Sequence, residues 1–138
     1  MTVAGSSMAP TLLPGQTVWV DPGHYATHAP ARGDLVALAF KTRERLMVKR
    51  VIALPGDRVE IRDGRLWRDG GPLAEPYLAE PRVFAAKAAR LLALQLERNG
   101  GRVPPGHVVA LGDNPKNSFD SGDYGFVSLD QIAGRVTP

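Results

Sequence analysis

The chain is expected to fold as a mainly β protein with one helical stretch, and three observations predict this. Glycine (15) and proline (12) are abundant in 138 residues. That favours a turn-rich chain over a helix bundle, because glycine supplies backbone freedom and proline a fixed φ. The apolar runs are short, rich in Val, Ile and Leu, and bounded by Pro-Gly, Asp-Gly or Gly-Gly turn signals. Helical spacing of apolar residues is confined to one stretch, near 83–98.

Taken in order, Thr17 to Val20 reads as a strand opened by Pro14-Gly15 and closed by Asp21-Pro22-Gly23. Residues 23–32 read as a loop. His24 and His28 sit in it at a spacing that would share a helix face, yet they lie among Pro and Gly with no third ligand and no cysteine, so no metal site is expected. Asp34 to Phe40 is a strand buried on both faces, to judge from its unbroken apolar run. Lys41 to Arg45 is a charged turn. Leu46 to Ala53 is a central strand, in which alternation puts Met47, Lys49, Val51 and Ala53 on one face and Val48, Arg50 and Ile52 on the other.

Leu54-Pro55-Gly56-Asp57 is a turn, with Asp57 read as a turn residue and not a catalytic one. Arg58 to Ile61 and Arg65 to Trp67 form a hairpin across Asp63-Gly64, closed by Asp69-Gly70-Gly71-Pro72. Glu75 to Leu78 continues in extended form. Val83 to Arg98 is one helix, stopped by Asn99-Gly100-Gly101. Ala85, Ala89, Leu92 and Leu96 form a stripe suited to packing on the sheet; Leu91 and Leu94, beside Lys87 and Arg98, leave apolar surface for the protein's own sheet, a membrane surface, a substrate or a second subunit. Val108 to Leu111 is a further strand. Gly112 to Gly125 is a long polar loop, and Ile132 to Val136 the last strand. With no repeat or linker, one domain over 1–138 is expected, with 80–103 as the insertion.

The bulk chemistry narrows the function. The formal charge is +3 and the pI about 9.6, but the basic residues are scattered, so no nucleic-acid surface is expected. The absence of cysteine excludes disulfides, thiolate metal sites and cysteine nucleophiles. No apolar run is long enough for a membrane helix, and no secretory leader is expected in the six residues before Ser7.

Two residues carry the candidate chemistry. Ser7 stands in Gly5-Ser6-Ser7-Met8-Ala9-Pro10-Thr11-Leu12, a tight turn able to present its hydroxyl outward, but serine needs a neighbouring base to become a nucleophile. Lys49 lies between Met47 and Val51 on its strand face. Apolar surroundings disfavour the ammonium, so the amine is a candidate general base; the alternative is an edge lysine reaching to water. The loop 112–125 offers hydroxyls and carboxylates that either orient such an amine or cap turns. Its aspartates do not follow the spacing of a helix-loop-helix calcium site.

Three stretches, in order, resemble the type I signal peptidases, a family of Ser/Lys-dyad serine peptidases. Residues 5–12 resemble their nucleophile motif, Val48-Lys49-Arg50-Val51-Ile52-Ala53-Leu54-Pro55-Gly56-Asp57 their general-base motif, and Gly112-Asp113-Asn114 through Ser118, Asp120-Ser121 and Tyr124-Gly125 their third box. The likeness spans most of the chain except 80–103. It implies a signal-peptidase-like fold of two antiparallel sheets, and cleavage of leader peptides from pre-proteins after small residues, at Ala-x-Ala sites, without cofactor or metal. It further implies Ser7 as nucleophile and Lys49 as base, Ser118 as the hydroxyl that positions the amine, Asp113 pairing with Arg50, and Asp120 bracing the loop. Gly5, Ser6, Met8 and the Ser7 N–H would form the oxyanion site and substrate pocket.

Two positions depart from the family pattern. Gly5 stands where some members carry a serine oxyanion donor, and Gly122 where an arginine usually follows Asp-Ser. Most members have an N-terminal membrane helix. The chain is therefore expected to be a catalytic domain separated from its anchor, working at the extracytoplasmic face of the bacterial membrane, or a compact, soluble peptidase dedicated to one substrate, of the conjugative-transfer or metalloenzyme-maturation type. The partners implied are a leader-peptide substrate and a membrane surface. Two other readings stand beside these: a self-cleaving repressor of the SOS type, which needs a DNA-binding domain before the serine, and a β module that binds peptide without cutting it.

Overall fold

In the computed structural model, residues 1–73 and 89–138 are described. Two antiparallel sheets form the body. The larger has strands β1 (Trp19–Asp21), β2 (Leu35–Leu38), β3 (Met47–Ala53), β7 (His107–Leu111), β8 (Val127–Ser128) and β9 (Ile132–Thr137), in the order β1-β9-β2-β3-β7-β8. The smaller joins β4 (Val59–Arg62), β5 (Arg65–Arg68) and β6 (Gly71–Pro72) in that order. Three α-helices, α1 (His24–Thr27), α2 (Arg90–Arg98) and α3 (Ser121–Tyr124), and a 3-10 turn at Leu129–Gln131 complete the described chain. The expected β fold of two antiparallel sheets is what the chain adopts, with β3 central in the larger one.

The unbroken apolar run of β2 reflects burial on both faces. Leu35 and Ala37 pack with Val48 and Val136 on one side, together with Val3, Met8 and Leu12 from the N-terminal segment. Val36 and Leu38 pack with Val51, Val108 and Ala110 on the other. The N-terminal segment is thus stitched to the sheet by its own apolar residues, and this sets Ser7 beside β3. Burying Met8 and Leu12 fully contributes about 1.5–3 kcal/mol each.

The hairpin between β4 and β5 turns at Asp63 (φ 51°) and Gly64 (φ 76°), and a second tight turn at Asp69 (φ 53°) and Gly70 (φ 85°) adds β6. Two left-handed residues per turn match the strand twist, which is why Asp-Gly recurs. Asp57 is a turn residue, as expected: its Oδ2 accepts from the Leu54 N–H at 2.8 Å and from Arg32 at 2.9 Å.

Three expectations need correction. Residues 23–32 are not all loop, because His24–Thr27 form a helical turn. No side chain caps it locally; Tyr25 ties it down by donating to Asp34 Oδ2 at 2.8 Å, a partner that periodicity does not show. Within the polar loop after β7, Ser121–Tyr124 are helical, for a reason given below. The simple alternation of β3 ends at Val51: a bulge against β7 lets Ile52 and Ala53 both join the cluster around Leu92.

The described part of the 83–98 helix is α2. Ala89, Leu92 and Leu96 pack on Ile52, Val59, Leu66 and Leu111, so this stripe serves the protein's own core. Leu91 and Leu94 are 43% and 41% exposed. The expected helix over 83–88 and the extended stretch 75–78 lie outside the described residues.

Candidate active site

The turn bearing Ser7 is closed by Ala9 N–H to Ser6 O (3.1 Å) and Leu12 N–H to Met8 O (3.0 Å). Gly5 has φ 79°, a conformation that side chains resist, so glycine here serves the turn. Ser7 is half-buried and lines a cavity of about 580 Å³, with Gly5, Ser6 and Met8 on the same wall and Met47 and Lys49 across it. Among the described residues the Ser7 N–H makes no hydrogen bond.

Lys49 Nζ lies 2.8 Å from Ser7 Oγ, within hydrogen-bonding distance. Lys49 is 2% exposed, and its cross-strand neighbour is the fully buried Val36. The lysine is therefore inside the sheet's packing and not on an edge. Its neighbour in sequence, Arg50, points to the other face. There the guanidinium donates to Asp113 Oδ1 (2.9 Å) and Oδ2 (2.7 Å), and its third branch reaches Gly33 O at 2.8 Å. Asp113 is fully buried and also accepts from Thr11 Oγ1 at 2.5 Å. One carboxylate thus joins the base strand, the third motif and the nucleophile turn.

Asp120 is the second organiser. Fully buried, it accepts from the Gly112 N–H (2.9 Å), Ser118 Oγ (2.5 Å) and the Gly122 N–H (3.1 Å). It is the N-cap of α3, and Asp123 closes the reciprocal half of that capping box by accepting from the Asp120 N–H at 3.0 Å. This explains why helix appears in a loop dense in Asp and Ser. It also shows what stands at position 122 in place of arginine: a buried glycine whose N–H reaches the same carboxylate. Burial, then the Asp120 and Asp123 carboxylates, push the Tyr124 hydroxyl well above the usual tyrosine range.

Four residues at the site were not singled out from the sequence. Asn114 donates its backbone N–H to Ser7 O (2.9 Å) and its side chain to Ser6 O (3.0 Å). Asn117 donates to Ser6 Oγ. Thr11 reaches Asp113, as above. Gly112 matters for what it lacks: a Cβ there would sit 2.1 Å from Ser118 Oγ and 2.6 Å from Ser7 O. Its signal was the Gly-Asp-Asn sequence, but only the approach of residue 7 reveals the reason. His24 and His28 are brought together as stacked rings, centroids 4.4 Å apart, away from these residues. Among the described residues no group of three potential metal ligands converges.

On this frame of two antiparallel sheets a buried lysine amine lies within hydrogen-bonding distance of a serine hydroxyl, the pair that a lysine-assisted serine hydrolase would need. The description "Signal peptidase, peptidase S26" matches the chain over residues 1–138, and the chain belongs to this family of serine endopeptidases. It is 37% identical to the probable signal peptidase I-1 of Synechocystis over 97% of this chain and 66% of that protein. It is 36% identical to the signal peptidase I of Bacillus caldolyticus over 97% of this chain and 74% of that protein. The chain thus spans about two thirds to three quarters of the length of these relatives. The crystal structure of a signal peptidase I from Enterococcus faecalis superposes with a TM-score of 0.59 at 31% identity, covering 80% of this chain and 98% of that one. Among the described residues no helix is long and apolar enough to cross a membrane.

Proposed function

We propose that the chain is a leader peptidase that cuts pre-proteins after small residues with a Ser7/Lys49 dyad. The observation that carries this is the 2.8 Å contact between a lysine amine that is almost wholly buried and a serine hydroxyl that lines a cavity. Burial disfavours the ammonium, so Lys49 is held toward its neutral form. The neutral amine takes the Ser7 proton as Oγ attacks the scissile carbonyl carbon, and the ammonium returns that proton to the departing amine. The amine then deprotonates a water that attacks the acyl ester, which releases the leader and restores Ser7.

The Ser7 N–H is the oxyanion donor, and losing one such donor typically costs about 3 kcal/mol in the barrier. Ser118 and Asp120 order the loop beside the dyad; Asp113 and Arg50 lock it to β3. The substrate enters extended beside the first residues of β3, ahead of the stretch that β7 engages from Arg50 onward. Gly5, Ser6 and Met8 form the wall against the residues next to the cut, and Met8, buried in the core, favours small ones. The place of action is the extracytoplasmic face of the bacterial membrane, where leader peptides emerge.

Turnover of a peptide with an Ala-x-Ala site tests this. Hydrolysis lost in both Ser7→Ala and Lys49→Ala is the expected result. Unchanged turnover in either would remove the dyad, and binding without turnover in the parent chain would leave a peptide-binding module.

A further inference from the structure

The cavity of the proposed peptidase site has one side that the dyad does not use. Arg43, Glu44 and Arg45 line it, from the exposed turn that leads into β3. The turn 41–45 carries three cations (Lys41, Arg43 and Arg45) against one carboxylate, Glu44. Among the described residues none of the three forms a salt bridge, although the protein pairs Arg32, Arg50 and Arg62 with carboxylates elsewhere. Arg43 is held in place: its guanidinium lies 4.9 Å from the centroid of the Phe119 ring, which lines the same cavity. Phe119 in turn packs on Tyr124 at 5.2 Å and Tyr124 on Phe40 at 5.1 Å, so the platform under Arg43 is anchored to the body. A ring face orients a guanidinium but leaves its N–H edge free to donate. Arg45, which forms no salt bridge among the described residues, lines the same cavity.

We infer that Arg43 and Arg45 are specificity-determining residues that select substrates bearing an acidic side chain a few residues from the cleaved bond. The distance follows from the strand. Arg45 stands four positions before Lys49, two of them ahead of β3, and an extended chain advances about 3.3 Å per residue, so the arginine lies at most roughly 13 Å from the dyad. A carboxylate at that place meets two donors in a fork geometry that suits it. The inference rests on the peptidase reading, but its readout is a preference and not activity itself.

The test uses five peptides around one Ala-x-Ala site: neutral, with Asp four residues before the cut, with Asp four residues after it, and with Lys at each of those two places. The expected result is kcat/KM about fivefold higher for one acidic peptide than for the neutral one, the size of a partly exposed charge contact. The preference should shrink at 0.5 M salt and turn toward the Lys peptides in Arg45→Glu, with Arg45→Gln between. Equal rates for acidic and neutral peptides, or a preference untouched by Arg45→Glu, would overturn it. Cleavage of the neutral peptide that disappears in Ser7→Ala keeps the peptidase reading whichever way the preference falls. If no peptide is cut, fluorescence anisotropy of the same five peptides on the Ser7→Ala protein still reads the preference. Vesicles with and without anionic lipid form a separate arm: lipid binding abolished by Arg45→Glu with no effect on peptide choice assigns the arginines to a membrane instead and sinks the proposal.

Discussion

The Lys49 amine meets the Ser7 hydroxyl at 2.8 Å across 42 residues of chain. Neither residue is catalytic by its neighbours in sequence. The contact exists because Met8 and Leu12 bury beside Val48 and because Asn114 holds residues 6 and 7 from above.

Removing the proposed base, Lys49, should therefore leave the fold and erase turnover. Lys49→Ala is expected to lower kcat by about 10²–10⁴-fold, the range for general-base loss. Circular dichroism should be unchanged. A variant that retains parent kcat would show that another group takes the proton.

The pH profile follows from the same contact. Only the neutral amine accepts a proton, so kcat/KM falls about tenfold per pH unit below the Lys49 pKa and levels off above it. Burial disfavours the ammonium, so the rising limb is expected below the ordinary lysine range. A profile that is flat from pH 6 to 9 would exclude Lys49 as base.

Gly112→Ala is a steric test. The added methyl would overlap Ser118 Oγ and Ser7 O. A displacement of the nucleophile by about 1 Å can cost about 10²-fold in rate. We expect kcat to drop sharply while KM changes little. Retained kcat would mean that the loop yields without moving Ser7.

Asp113→Ala leaves the Arg50 guanidinium buried without its bidentate partner. Loss of one member of a buried pair typically costs about 3–5 kcal/mol. Urea unfolding should show it, and a change below about 1 kcal/mol would mean that water replaces the carboxylate.

On α2 the two leucine stripes should separate cleanly. Leu92→Ala empties a fully buried site and should cost about 2–5 kcal/mol. Leu91→Ala, at a 43% exposed position, should stay within about 0.5 kcal/mol. Equal costs would contradict the packing of this helix.

Much of the architecture was legible because it is written in local chemistry. Asp63-Gly64 demands a tight hairpin, Leu35 to Leu38 is apolar throughout because both faces are covered, and Leu92 and Leu96 recur at helical spacing. What escaped depends on partners distant in the chain. The helical turn at His24–Thr27 exists through Tyr25 and Asp34. The bulge after Val51 is set by the register of β7, which no alternation rule within β3 contains.

The same division holds for the site. The sequence alone determined which side chains are available, Ser7, Lys49, Arg50, Asp113, Ser118 and Asp120, and the antiparallel β frame that carries them, because residue type and spacing are properties of the chain. Only the tertiary structure decided that the Lys49 amine is dry and touches Ser7, that Asp120 and not an arginine pair holds the loop, and that Gly112 must lack a side chain. Those outcomes depend on burial and on distances between separated segments, which arise when apolar faces pack and fix where each polar group finds its partner.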